Sequence, residues 1–234
     1  MIPKVIHYCW FGRNPKPKDV LDYIETWKKH NPDYEIKEWN EDNFDIHCCK
    51  YVWEAYNVKK YAFVSDYARL YALYTEGGIY LDTDVEVRKS FGDFLTYRTV
   101  LGWEADYIGT GMLACQKGQN WPKALMDSYH QENFISWFGK LNIIPNPYRL
   151  CNILKPYGLV MNRERQTLND GIEIFKLEYF CAHLADHSKY YITDNTVCIH
   201  HYSETWTKKN QSYVQKIIDR INNVVIKLKL SLRR

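Results

Sequence analysis

No stretch of this 234-residue chain approaches the ~18 uncharged apolar residues that a membrane-spanning helix needs. The opening residues Met1-Ile2-Pro3-Lys4 lack the apolar run of a secretory signal. Glycine and proline are sparse, at 11 and 8 residues, which excludes collagen-like and low-complexity architectures. A strong charge of one sign is also missing. Lys and Arg number 31 against 28 Asp and Glu, and the resulting +3 is too weak a balance for a general polyanion or nucleic-acid binder. The cysteines number seven, and apart from the adjacent Cys48 and Cys49 they lack the close pairing of a zinc site. They are expected as buried thiols in a reducing cytoplasm. One cytoplasmic globular domain remains, and 46% hydrophobic residues are enough to build its core.

Aromatic residues are abundant, at 16% with 20 Tyr and 8 Trp, and they can serve as core or as platforms for flat rings and sugars. The patterning alternates strand and helix. Val5 to Trp10 is a β-rich run, Val20, Leu21, Ile24 and Trp27 recur at helical spacing, and Tyr34 to Trp39 alternates apolar and charged residues. A helix is predicted over Lys59 to Glu76, closed by Gly77-Gly78 and followed at once by a strand at Ile79 to Asp82. Further strands are expected at 99–103, 111–115 and 197–201, and a helix at 121–131 opened by Pro122. The fold class is therefore α/β, with a mostly parallel central sheet flanked by helices and ligands bound beyond the carboxyl ends of its strands.

The charge is unevenly placed. Residues 216–234 carry six cations and one anion, so this stretch is +5 and the remainder is −2. Val214, Ile217, Ile218, Ile221, Val224, Val225, Leu228 and Leu232 lie at helical spacing there. The expected organisation is a catalytic domain over 1–212 and a basic amphipathic helix over 213–234, which either packs on the domain or lies on anionic lipid.

Asp82-Thr83-Asp84 stands at the end of an apolar strand. On an extended chain Tyr80, Asp82 and Asp84 share a face, and two carboxylates so close, with no cation between them, are best compensated by a divalent metal ion. The preceding helix carries Ser65, Asp66 and Arg69. Asp66 and Arg69 sit at i, i+3, suited to accepting a sugar hydroxyl and gripping a phosphate. His200 and His201 are consecutive on a late strand, so at most one of them faces the crevice. Trp206 and Ser203 follow with an indole N–H and a hydroxyl that could donate to a diphosphate. Two carboxylates and an imidazole suit Mn²⁺, with Mg²⁺ acceptable.

Phe63-Val64-Ser65-Asp66-Tyr67-Ala68-Arg69 and Gly77-Gly78-Ile79-Tyr80-Leu81-Asp82-Thr83-Asp84 together resemble the signature of the DxD-containing sugar transferases of glycosyltransferase family 32. That family includes capsular polysaccharide enzymes and yeast mannosyltransferases. The spacing is also similar to that of the glucosylating domains of large clostridial toxins. Residues 2–12 resemble the family's opening strand, and His200-His201-Tyr202-Ser203-Glu204-Thr205-Trp206 its closing motif.

The resemblance implies a GT-A fold and retaining, metal-dependent transfer of a hexose from a nucleotide sugar, UDP-linked first and GDP-linked second. The acceptor would be a glycan or a lipid-linked oligosaccharide, in polysaccharide biosynthesis. It implies Asp66, Arg69, Asp82 and Asp84 as catalytic residues. His7, Trp10, Ser65, Tyr80, Ser203 and Trp206, with Asp66, Arg69 and Asp82, would hold the donor. Asp82, Asp84 and His201, with His200 as the alternative, would ligate the metal. No residue beneath the anomeric carbon suggests itself as a nucleophile, so retention is expected through same-face internal return rather than double displacement. Two alternatives stand beside this: a haloacid-dehalogenase-like phosphatase, which places its DxD on the first strand, and a non-catalytic nucleotide-sugar-binding module. The expected location is the cytoplasm, peripheral on the inner membrane face if the basic helix binds lipid.

Overall fold

The computed structural model describes residues 1–183 and 190–203. Strand β1 (Val5–Cys9) is followed by α1 (Lys18–His30) and β2 (Glu35–Trp39), and then by α2 (Lys50–Asn57), α3 (Tyr61–Thr75) and β3 (Gly78–Leu81). Next come β4 (Val85–Val87), β5 (Thr99–Glu104), β6 (Tyr107–Ile108), β7 (Met112–Cys115), α4 (Asn120–His130) and α5 (Asn146–Leu154). The described chain ends with β8 (Gln166–Leu168), β9 (Ile172–Phe175), α6 (Leu177–Phe180) and β10 (Cys198–His200).

The main sheet has the order β2-β1-β3-β7-β5-β9-β8, with β6 on β5. Strand β1 runs parallel to β2 and β3, and β9 runs parallel to β5, whereas β7 lies antiparallel between β3 and β5. The α/β architecture expected from the alternating pattern is therefore present. Helices α2 to α5 pack one face around Trp103, Trp121 and Tyr129, while α1 covers the other through Val20, Ile24 and Trp27. Burial on both faces explains why β3 and β7 are wholly apolar runs rather than alternating ones. Six of the seven cysteines are buried as free thiols, and Cys48 is half-buried.

Two features of this frame set the site. Gly77 and Gly78 adopt φ of +72° and +106°, and a Cβ at Gly78 would lie 2.7 Å from the Val5 carbonyl oxygen. Only glycine passes from α3 into β3 this tightly. At the other end of β3 the chain leaves the sheet. The Val85 N–H donates to the Asp82 carbonyl at 3.0 Å, and β4 then pairs antiparallel with β10 in a separate two-stranded sheet. Asp82 to Asp84 thus form a turn between two sheets rather than the extended segment that the pleat argument assumed. Residues 204–234, including Trp206 and the predicted basic helix, lie outside the described residues.

Candidate active site

The turn after β3 accomplishes what a pleat could not. Asp82 stays at the carboxyl end of the main sheet, and Asp84 swings under β10. There its carbonyl accepts the His201 N–H at 2.9 Å, and its Oδ2 accepts the Ser203 N–H at 2.8 Å. His200 Nε2 lies 3.2 Å from Asp84 Oδ1. Ligand-type atoms of Asp82, Asp84 and His200 all fall within 4.8 Å of one another.

The choice between the two histidines follows from register. His200 opposes Val85 and points to the buried side, where the cluster lies. His201 belongs to the opposite face: its Nε2 is 2.9 Å from Glu86 Oε2 and its ring stacks on Tyr23 at 5.0 Å. The structure thus groups His200, the alternative ligand, rather than the favoured His201 with the two carboxylates, because side chains alternate along a strand.

Arg69 organises the acidic groups from below. It is 4% exposed, and each of its three nitrogens has an oxygen within 3.3 Å. Nε faces the Ser65 carbonyl, Nη1 the Thr110 carbonyl and Asp82 Oδ2, and Nη2 Asp66 Oδ1 and Asp82 Oδ1. The guanidinium also lies 4.7 Å over the Tyr80 ring, whose hydroxyl donates to Asp82 Oδ1 at 2.9 Å. Arg69 is thus a buried tie between α3, β3 and the 109–111 loop. Nη2 of this guanidinium has ion-pair contacts to Asp66 and Asp82, so the expected grip on a phosphate would have to be shared with these carboxylates. Tyr80 is 1% exposed and supports Asp82 through its hydroxyl.

Burial shapes the protonation of these groups. Asp66 is pushed up to about 6 because burial outweighs the attraction of Arg69, which is divided between two carboxylates. Burial alone would lower His200, yet the Asp84 and Glu104 carboxylates hold its protonated form well above the ordinary histidine range. Asp84 is in turn held below the usual carboxylate range, against its burial, by His200 and the Ser203 N–H.

The remaining predicted residues divide. Trp10 is half-buried just past the end of β1, with its indole N–H donating to the Asn14 carbonyl at 2.7 Å, so part of its ring remains accessible beside the strand ends. The Ser65 hydroxyl back-bonds to the Tyr61 carbonyl at 3.1 Å. His7 is fully buried. The Trp39 indole N–H donates to its Nδ1 at 3.1 Å, which leaves Nε2 to donate to the Gly77 carbonyl at 2.7 Å. With both nitrogens engaged, His7, expected at the donor, ties β1 to β2 and to the α3–β3 turn.

Glu104, at the end of β5, was not singled out from sequence. Its Oε2 lies 3.7 Å from His200 Nδ1, which has no hydrogen-bond partner among the described residues. Only its position at a strand end next to the 109–111 loop could have marked it. Arg149 and Asn146, on α5, were also missed. Asn146 reaches the Asp66 carbonyl at 3.3 Å, and Arg149 grips Glu132 through two bonds of 2.8 and 2.7 Å.

The donor set of two carboxylates and one imidazole, brought together and braced by Arg69, Tyr80 and the Ser203 N–H, fits a divalent cation of the Mn²⁺ or Mg²⁺ kind. Both Asp82 oxygens are engaged by Arg69, which gives no support to a phosphatase using Asp82 as a free nucleophile.

Residues 17–102 match the glycosyltransferase sugar-binding region containing the DXD motif. An uncharacterized glycosyltransferase of Acanthamoeba polyphaga mimivirus is 35% identical over 104 residues, 41% of this chain and 40% of the relative. Inositol phosphoceramide mannosyltransferase 3 of Schizosaccharomyces pombe is 30% identical over 104 residues, 41% of this chain and 28% of the relative. The matched segment spans less than half the length of either relative. Among solved structures, PaToxG glycosyltransferase superposes with a TM-score of 0.54 at 21% identity, covering 66% of this chain and 69% of that one, a likeness of fold. Residues 17–102 of the chain are therefore similar to the sugar-binding region of the DXD-containing glycosyltransferases, and its α/β fold is like that of a solved glycosyltransferase.

Proposed function

We propose that the protein is a retaining, metal-dependent glycosyltransferase that moves a hexose from a nucleotide sugar, UDP-linked in preference to GDP-linked, to a saccharide or lipid-linked saccharide in polysaccharide assembly. The observation that carries this reading is the convergence of Asp82, Asp84 and His200 at the carboxyl end of β3, beside the half-open ring of Trp10 at the end of β1. The Trp10 ring can stack on the base, which gives about 1–3 kcal/mol without demanding one base over another. Asp66, held 2.9 Å from Arg69 Nη2, would accept a sugar hydroxyl.

A Mn²⁺ or Mg²⁺ ion held by Asp82, Asp84 and His200 would supply the positive charge that a departing nucleoside diphosphate needs. The chain's own contribution is preorganisation. Arg69 and Tyr80 fix both oxygens of Asp82, and the Ser203 N–H fixes one oxygen of Asp84, so little reorganisation remains when the donor binds. Because Asp66, Asp82 and Asp84 are each committed to such contacts, same-face internal return is the retaining route this arrangement favours. A covalent sugar trapped on any Asp or Glu would overturn that route.

Screening UDP- and GDP-sugars for donor hydrolysis, with Mn²⁺ and with a chelator, tests the whole reading. Metal-dependent hydrolysis that Asp84→Asn abolishes is expected. Metal-independent turnover, full activity of Asp84→Asn, or nucleotide binding with no turnover would contradict it.

A further inference from the structure

Beside the acidic cluster lies a groove of about 340 Å³, walled by Tyr107, Ile144, Pro147 and Tyr148 and closed at its inner end by Glu104 and Tyr202. Its volume falls in the range of small-ligand sites. The groove adjoins the cluster directly. Glu104 Oε2 is 3.7 Å from His200 Nδ1, and the Tyr202 ring is centred 4.2 Å from the His200 ring at a tilt of 32°. The contacts that brace Asp82 and Asp84 use none of its walls.

Its chemistry is two-sided. Tyr107 and Tyr148 meet edge to face at 6.4 Å and are 44% and 49% exposed, so the fold leaves much of their ring surface uncovered. At the inner end Glu104 presents a carboxylate, an acceptor for hydroxyl hydrogens. A pyranose has the matching division, with C–H faces that pack on aromatic rings and a rim of hydroxyls. An alkyl chain does not match, because its end would lie against Glu104 and desolvate a carboxylate without giving it a partner.

We propose that this groove is the acceptor subsite, taking a sugar ring against Tyr107 and Tyr148 with one hydroxyl directed to Glu104; the proposal rests on the glycosyl-transfer reading above. The position makes the acceptor's bound hydroxyl a neighbour of the His200 side of the cluster. It also separates acceptor recognition, built from β5, β6 and α5, from the donor side built from β1, α3 and β3.

Saturation-transfer NMR on the full chain, in Mg²⁺ and UDP, tests this with methyl glucoside, galactoside and mannoside as sugar probes and octanol as the apolar probe. At least one methyl hexoside should receive saturation. That signal should fall about tenfold in the Tyr107→Ala, Tyr148→Ala double variant. It should survive Trp137→Ala, which removes an aromatic residue 96% exposed and outside the groove. Thermal melting checks that the variants are folded. Saturation of octanol alone, of no hexoside, or of a hexoside equally in the double variant would overturn the subsite. Donor hydrolysis by the unmodified chain is measured separately: its absence sinks the glycosyl-transfer reading, whereas hydrolysis without hexoside binding sinks only the groove.

Discussion

Gly111→Ala adds one methyl group at the point where the site is tightest. A Cβ at Gly111 would stand 3.0 Å from both Cε1 and Nδ1 of His200 and 3.4 Å from Asp82 Oδ2, where ordinary contact begins near 3.4 Å. The His200 ring must therefore retreat by about 0.4 Å or more, away from a position 3.2 Å from Asp84 Oδ1. Overpacking of this kind costs about 1–3 kcal/mol. Gly111 lacks a left-handed φ, so alanine introduces no backbone strain and recovers roughly 0.4–1 kcal/mol by restricting the unfolded chain. The net loss of stability should then be small, about 1–2 kcal/mol, and the protein should stay folded. Activity should suffer more than stability suggests, because a misplacement of ~1 Å costs on the order of 10²-fold, so half that shift should cost about tenfold. The assay is Mn²⁺-dependent donor hydrolysis beside a thermal melt. Gly92→Ala serves as control, since a Cβ there meets only Ser90 Oγ at 3.5 Å. Wild-type hydrolysis in a folded Gly111→Ala protein would refute the placement of His200 against Asp82 and Asp84.

Other outcomes follow from the same geometry. Asp66, raised from 3.8 to about 6 by burial, contributes stability while protonated and loses it as pH rises through about 6, at a cost of up to ~3 kcal/mol when ionised. Asp66→Asn should therefore gain melting temperature relative to wild type as pH rises from about 5 to about 7 in metal-free buffer, and a gap that is flat or shrinks would contradict this burial argument. His7→Ala strands the Gly77 carbonyl and the Trp39 indole N–H, so denaturant unfolding should show a loss of about 2–4 kcal/mol while Mn²⁺ affinity is kept; weakened Mn²⁺ binding in the folded variant would return His7 to the site. If the +5 segment holds the protein on anionic lipid, deleting residues 213–234 should release it from membrane fractions with donor hydrolysis intact, and unchanged fractionation would rule that role out.

Much of the site's first half could be read in the chain because it is local. Asp66 and Arg69 sit one helical turn apart, Gly77-Gly78 marks the turn into β3, and Asp82 stands where the apolar run of β3 stops. What closes the site is not local. Whether His200 or His201 faces Asp84 depends on the register of β10 against β4, and that pairing joins residues more than 110 positions apart. The buried fate of Arg69 was hidden for the same reason: its partners include the Thr110 carbonyl, and a backbone oxygen leaves no mark on a sequence. His7 looked like a ligand-facing residue because nothing in its neighbourhood reveals that Trp39 and Gly77 occupy both its nitrogens. In the second half, β6, β8 and β9 are too short, at two to four residues, for alternation to show, and so the groove beside Glu104 was not visible.

The central claim is that Asp82, Asp84 and His200 together hold a divalent cation, and Mn²⁺ titration followed by electron paramagnetic resonance tests it most directly. Wild type and His201→Ala should bind Mn²⁺ with similar affinity, while His200→Ala and Asp84→Asn should each weaken it by at least about tenfold with their folds intact. Loss of Mn²⁺ binding in His201→Ala, with His200→Ala binding as the wild type does, would contradict the account.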